Sequence, residues 1–328
     1  MNAGLLSILA RYPASARPKS EPVPLGNAGG LSGSRLWRLD TGRGLLVARL
    51  WPIESNERAR IERVHCWVAR ANRLGFVPQP IAGQDGRTVQ EEHGRLWDLV
   101  PWMTGLPEAA DPPNCIRVRS AFVALAAFHR AMGEVTLKAT SPGLVARLAE
   151  IEGLLARHLI EWRSVVSRAP ADETREQAML WLDLAARIAP GLLPIVRHAA
   201  LKLGSIQPVL RDARPEHFLF TDDRVTGLVD FGAMGIDTVS IDLARLMGEW
   251  FALDNTDSRE QAMGAYEQVR ALTSDEKARV AIFERSGHLL QGARWLQWHF
   301  LDHLNFEDPK AAINGLKRSV TRLSRIVL

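Results

Sequence analysis

Cysteine is almost missing from this chain: 328 residues hold two, Cys66 inside a helical pattern and Cys115 after a Pro-Pro-Asn turn. Nothing in their spacing suggests a zinc site, and so little cysteine fits a reducing compartment. Blocks of consecutive basic residues are missing too. With 41 Lys and Arg against 37 Asp and Glu the net charge is +4, a mildly basic chain that does not imply a nucleic-acid partner. Arginine carries most of the positive charge, which reads first as genome composition and second as phosphate forks at a few positions. No apolar run approaches membrane-spanning length. The stretch Leu5 to Ala10 is too short for the hydrophobic region of a signal peptide and has no basic segment before it. Internal repeats and low-complexity tracts are lacking as well. A soluble cytoplasmic protein is expected, with neither membrane nor nucleic acid as partner.

Hydrophobic residues are plentiful, at 46%, and charged residues make up 24%. That composition excludes disorder for the bulk of the chain, and the length suits two lobes. Pro13 to Pro24 reads as an extended lead-in. Arg35 to Leu39 and Leu45 to Trp51, joined by a Thr-Gly-Arg-Gly turn, predict a hairpin. Ile61, Val64, Val68 and Ala71 recur at helical spacing, with Ser55 as expected N-cap and Gly75 as expected C′ residue. Strand-like runs follow at 80–82, 88–90 and 96–100, and Pro101 to Gly105 reads as a linker. Beyond Asp111-Pro112-Pro113 come helical periodicities over 118–132, 144–166, 174–188 and 192–203, resuming at Ser240. The expected fold class is α+β: an N-terminal helix and lead-in (1–23), a small β-rich lobe (24–100), a linker (101–105) and a larger helical lobe (106–328).

Two short apolar segments carry carboxylates. The first is Val209-Leu210-Arg211-Asp212-Ala213-Arg214-Pro215-Glu216-His217-Phe218-Leu219, and the second is Gly227-Leu228-Val229-Asp230-Phe231-Gly232. An Asp at the end of an apolar strand is costly without a partner or a metal. Their grammar is that of phosphoryl transfer: an Arg-Asp pair with a metal-ligand position five residues after the Asp, then an Asp-Phe-Gly turn. Near the N-terminus, Gly26 to Gly33 has four glycines in eight residues between two strands, a composition that lets backbone N–H groups approach phosphate oxygens.

Taken with Ile241-Asp242-Leu243-Ala244-Arg245-Leu246, these segments resemble, in order and spacing, the aminoglycoside phosphotransferase, choline kinase and homoserine kinase family, across about residues 24 to 250. The family has a protein-kinase-like fold specialised for small molecules. The resemblance implies ATP and Mg²⁺ as cofactors, a small-molecule acceptor, Asp212 as catalytic base and Asp230 as metal ligand. It implies that Gly29, Gly30, Ser32 and Gly33 cradle phosphates, that Arg49 reaches the α/β-phosphates, and that Glu62 pairs with Arg49. It also places Pro101 and Trp102 at the adenine edge, where Pro101 offers only its carbonyl and Trp102 would be the donor. Asp242 reads as anchoring the loop at a helix start.

Two positions depart from the family. Leu210 stands where a loop-positioning His is usual, and His217 where the metal-binding Asn is usual. Three roles are open to His217: coordination of a metal through a neutral ring nitrogen, with Mn²⁺ then possible; a hydrogen bond that tunes Asp212; or a degraded metal site. Few residues separate Gly232 from the helix at Ile241, leaving no room for a peptide-holding activation segment. The implied activity is transfer of the γ-phosphate of ATP to a hydroxyl of a sugar, amino alcohol or aminoglycoside-like compound. The alternative is a nucleotide-binding pseudokinase with a regulatory role. The Trp295 to His303 stripe reads as core packing, with an acceptor pocket as the other reading. Oligomeric state is left open.

Overall fold

The computed structural model describes residues 3–26, 33–53, 57–110, 112–133, 137–306 and 308–326. Its elements run α1 (Ala3–Leu9), β1 (Val23–Gly26), β2 (Arg35–Thr41), β3 (Gly44–Leu50), α2 (Arg58–Arg70), β4 (Val89–Glu92), β5 (Arg95–Pro101), β6 (Leu106–Pro107) and α3 (Cys115–Met132). They continue with β7 (Leu137–Ala139), α4 (Pro142–Gly153), α5 (Leu159–Arg168), α6 (Glu173–Leu201), β8 (Gly204–Val209), β9 (Phe218–Thr221), β10 (Arg224–Leu228) and β11 (Gly235–Asp237). The last are α7 (Ser240–Trp250), α8 (Thr256–Glu267), α9 (Ser274–Leu296) and α10 (Ala311–Ser324).

Two compact units result: Met1–Met132 with Glu216–Met234, and Gly133–Pro215 with Gly235–Leu328. The expected division at a 101–105 linker is therefore displaced. The physical reason is strand pairing: β6 joins β9, with Leu106 opposite Phe220, and Leu228 N–H donates to the Phe76 carbonyl at 2.7 Å, so the β9–β10 hairpin belongs to the first unit.

In the first unit, an antiparallel sheet of order β1-β2-β3-β5-β4 carries alternating burial along β3, with Leu46, Ala48 and Leu50 on the core face and Arg49 on the other. The segment 1–23 is not a separate lead-in. Leu5, Ile8, Leu9 and Tyr12 pack with Trp37, Leu39 and Trp97 in the sheet's core, and Pro18 bridges to Thr41. Helix α2 lays Ile61, Val64, His65 and Val68 on the unit. It begins at Arg58 and gives way to a turn over Ala71–Leu74, so Gly75 is not its C′ residue, and Ser55 lies outside the described residues. The run 80–82 is not a strand; its one ladder-like bond is Ile81 N–H to the Leu99 carbonyl.

The second unit is helical, with a small sheet of order β11-β8-β7. The periodicities at 174–188 and 192–203 are one helix, α6, which runs through Pro190 and Pro194. Each proline removes a main-chain hydrogen bond, at a cost of about 3 kcal/mol. The buried stripe Trp181, Leu182, Ala185, Ile188, Leu192 and Val196 in the unit's core offsets it. By length and composition α6 is also long and apolar enough to cross a membrane, which amends the expectation of no such segment; that buried stripe is what a core helix presents. The stretch 154–158 between α4 and α5 is a single π turn, as is 297–301 after α9.

Packing in this core is close where α9 crosses α6, because a Cβ at Gly292 would overlap the Trp181 indole, and Trp181 is fully buried. Gly292→Ala is therefore expected to destabilise the protein by about 3 kcal/mol, since the indole has nowhere to move in a filled core. A thermal denaturation curve superimposable on that of the wild type would contradict this packing.

Candidate active site

In the first unit, register puts Arg49 of β3 directly opposite Asp98 of β5. The guanidinium forks the carboxylate, with Nε to Oδ1 at 3.2 Å and Nη2 to Oδ2 at 2.8 Å. Trp51 Nε1 donates to the same Oδ2 at 2.9 Å, and His65 Nε2 lies 3.2 Å from it. The other ring nitrogen of His65 meets Thr88 Oγ1 at 2.8 Å, and the Arg49 guanidinium stacks 4.0 Å from the Trp51 ring centre. Asp98 is 1% exposed. Burial opposes its ionisation, but the Arg49 charge and the His65 hydrogen bond override burial and hold the carboxyl well below the usual range.

The expected Arg49–Glu62 pair is not formed. Glu62 points outward, 40% exposed and 3.8 Å from Arg58 one turn away on the same helix. Helix phase explains this: α2 turns Ile61 and His65 inward, which directs Glu62 off that face. Asp98 was missed because one acid within a strand pattern has no spacing to flag it. Its signal was its cost, a lone carboxylate in Leu96-Trp97-Asp98-Leu99.

The expected phosphate loop is bounded by Gly26 and Gly33, at φ +63° and +70°, the left-handed region that glycine enters freely. Of its expected ligands only Gly33 is described; Gly29, Gly30 and Ser32 lie outside the described residues. At the adenine position, Trp102 N–H donates to the Leu45 carbonyl at 3.0 Å, so the donor assigned to it is taken up by the sheet. Antiparallel alternation leaves Pro101, opposite Leu46, at a non-hydrogen-bonded site with its carbonyl directed away from β3.

The two expected metal ligands meet in the same unit. His217 Nε2 faces Asp230 Oδ2 at 3.7 Å, and Val229 N–H fixes the adjoining strands by donating to the His217 carbonyl at 2.9 Å. Asp230 is a non-glycine residue at φ +63°, tolerated by Asp, and its Oδ1 accepts from Gly232 N–H at 3.3 Å. Arg60 of α2 donates through Nη2 to the Gly232 carbonyl, a contact the sequence did not signal. An imidazole nitrogen and a carboxylate oxygen converging in this way suit a divalent cation as a partial ligand set. Among the described residues no group of three or more His, Cys, Asp or Glu is placed to hold a metal ion, so water or nucleotide oxygens would complete the shell.

In the second unit, Asp212 lies in the loop after β8. Asp242, fully buried in the first turn of α7, accepts the N–H groups of Leu210 at 2.7 Å and Arg211 at 2.6 Å. Arg211 takes φ +66° within this brace. Leu210 is buried, so the loop is positioned through main-chain amides where the family uses a histidine side chain. Asp212 Oδ1 accepts from Arg214 Nε at 3.0 Å and Arg245 Nε at 3.2 Å. Arg245 continues to Glu249 at 2.9 Å, and Glu249 to Arg322 at 2.9 Å. Burial opposes ionisation of Glu249, yet Arg322 and Arg245 bring its carboxyl down to about 2. Beside it, His288 is pulled down to about 3 by burial first and by the Arg322 charge next.

The aromatic stripe is packing: Trp295 meets Trp298 edge-on at 5.3 Å, Phe300 is buried, and His303 has left the helix at φ +49°.

Two consequences are measurable. Asp98→Ala leaves a cation and a histidine facing an emptied buried site and is expected to cost about 3–5 kcal/mol, whereas Glu62→Ala is expected to change stability by less than about 0.5 kcal/mol. Equal losses in thermal denaturation would contradict this assignment. For His288, the folded value of about 3 lies below the ordinary 6.5, so the unfolded chain takes up the proton first. Its contribution to stability is present above about pH 6.5 and is lost as pH falls toward 3. Between pH 7 and pH 5 the wild type should lose about 2 kcal/mol more than His288→Gln, read from urea unfolding.

Comparison with known proteins bears on the family and the fold. The phosphotransferase enzyme family matches residues 25–283. The chain is 27% identical over 310 residues to the homoserine kinase of Beijerinckia indica, covering 92% of this chain and 86% of that one. It is 28% identical over 233 residues to the homoserine kinase of Afipia carboxidovorans, covering 70% and 64%. In fold it is similar to a choline/ethanolamine kinase family protein from Mesorhizobium loti, with TM-score 0.61 and 20% identity over 98% of this chain and 94% of that chain. It is also similar to a microcompartment-associated aminopropanol kinase, with TM-score 0.59 and 15% identity over 98% and 96%. With an α+β kinase-like fold and a matching profile over most of its length, the chain belongs to the phosphotransferase enzyme family and is a small-molecule kinase.

Proposed function

We propose that this kinase transfers the γ-phosphate of ATP to the hydroxyl of a small amino acid or amino alcohol, with homoserine as the first candidate because the homoserine kinases above match most of the chain. The observation that carries the reading is Asp212, held by Arg214 and Arg245 in a loop that Asp242 braces. A carboxylate fixed in this way can orient an acceptor hydroxyl and take its proton. Arg49, already shaped as a fork by Asp98, is assigned to the nucleotide phosphates together with the loop ending at Gly33, and the Pro101 carbonyl to the adenine edge. His217 and Asp230 would hold the divalent metal, Mg²⁺ or Mn²⁺, which when bound neutralises charge on the triphosphate. Of the roles open to His217, its approach to Asp230 favours coordination.

The test is an ATP-consumption assay with homoserine and related alcohols, in Mg²⁺ and then Mn²⁺. Asp212→Asn is expected to lower kcat by about 10²- to 10⁴-fold while ATP still binds. Asp230→Ala should remove the metal-dependent part of ATP affinity, and His217→Asn should shift metal preference toward Mg²⁺. No thermal shift with ATP in either metal would sink the reading. ATP binding without turnover of any acceptor would leave a nucleotide-binding regulator.

A further inference from the structure

Helices α4, α7, α9 and α10 of the second unit line a partly open cavity of about 40 Å³, space for roughly three waters. Two glycines keep it open. A Cβ on Gly248 of α7 would come within 3.1 Å of the His288 ring, and one on Gly287 of α9 within 3.4 Å of Arg147 Nη1. Glycine weakens a helix interior, so its presence on two facing walls leaves room at a cost to both helices.

The walls carry excess positive charge. Arg147, Arg245 and Arg322 face Glu249 and Glu284, while His288 is held neutral at pH 7. Both carboxylates are already engaged: Glu249 bridges Arg245 and Arg322, and Glu284 is forked by Arg259. Arg147 is the cation left over. It donates to the Phe283 carbonyl and to Ser286 Oγ at 2.7 Å, and lies 4.7 Å from the Phe283 ring centre, with no carboxylate in ion-pair range among the described residues. A half-buried guanidinium without a counter-ion is unfavourable, and its planar fork matches a carboxylate.

The cavity adjoins the catalytic loop through one side chain. Arg245 bonds Asp212 through Nε at 3.2 Å and the cavity's Glu249 through Nη1 at 2.9 Å. Arg245 thus lies between Asp212 and the cavity, and a compact acceptor with its hydroxyl at Asp212 would direct its far end toward this side chain and the cavity beside it. A polycationic sugar would meet the wrong charge there.

We propose that the cavity binds the carboxylate of the phosphate acceptor, with Arg147 as its counter-ion, so that the substrate class is a small hydroxy acid, amino acids included. This rests on the kinase reading above and narrows it.

The test uses probe pairs that differ only in the carboxylate: L-homoserine against 3-aminopropan-1-ol, and L-serine against 2-aminoethanol. Wild-type kcat/KM should favour the carboxylate-bearing member of at least one pair by about 10- to 100-fold. Arg147→Met should narrow that ratio to within about 3-fold by raising KM for the carboxylate-bearing member, and Arg147→Lys should restore part of it. An ATP thermal shift retained in both variants shows that they are folded. Three results would overturn the inference: no preference in the wild type, equal losses for both members in Arg147→Met, or no turnover of either pair by wild type that binds ATP. Failure of the kinase reading shows separately, as absent ATP binding. In that case calorimetry of L-homoserine still decides the cavity, since heat retained in Arg147→Met, or absent from the wild type, overturns it.

Discussion

A buried carboxylate that receives two main-chain amides holds together the loop that carries Asp212. Asp242 is shut off from solvent, and its carboxylate oxygens are met by the N–H groups of Leu210 and Arg211. Such bonds to a charged acceptor are among the stronger ones in proteins. They fix the backbone one residue before Asp212 and allow Arg211 its left-handed conformation. A side chain at position 210 has then no positioning task, and leucine fills it as a core residue.

From that brace, charge is passed outward in alternating steps. Asp212 meets Arg245, Arg245 meets Glu249, and Glu249 meets Arg322. An isolated buried ion is expensive, but a chain in which each charge has neighbours of opposite sign needs no bulk solvent. Within that chain Arg245 and Glu249 are each held from two sides, which ties the orientation of Asp212 to α10 as well as to its own loop. The first unit solves its problem differently, by concentrating partners on one group: a guanidinium, an indole and an imidazole all converge on Asp98.

Much of this could be read from residue order alone. Asp212 and Asp230 stand out as candidates in the sequence because carboxylates at strand ends are costly and their separation follows phosphoryl-transfer chemistry; in the fold His217 Nε2 lies 3.7 Å from Asp230 Oδ2. The β2–β3 hairpin and α2 were legible through their periods of two and about 3.6. What escaped depends on non-local facts. Asp98 faces Arg49 only through strand register, Arg245 reaches Asp212 only through the packing of α7, and Glu62 misses Arg49 by helix phase. Pro190 divided one helix into two on paper, because local propensity speaks before core burial is known. The same blindness applied to the unit boundary, which is decided by a two-residue strand, β6, too short to signal itself.

The Arg49–Asp98 fork has one more consequence. Where a phosphate-binding cation takes its orientation from a helix, swinging that helix away disarms the site, and a regulator can grip the helix as a switch. Here the partner sits on the neighbouring strand, and strands in register do not slide without breaking their ladder. Arg49 therefore keeps its orientation as long as the sheet exists, and no helix has to move into place to aim it.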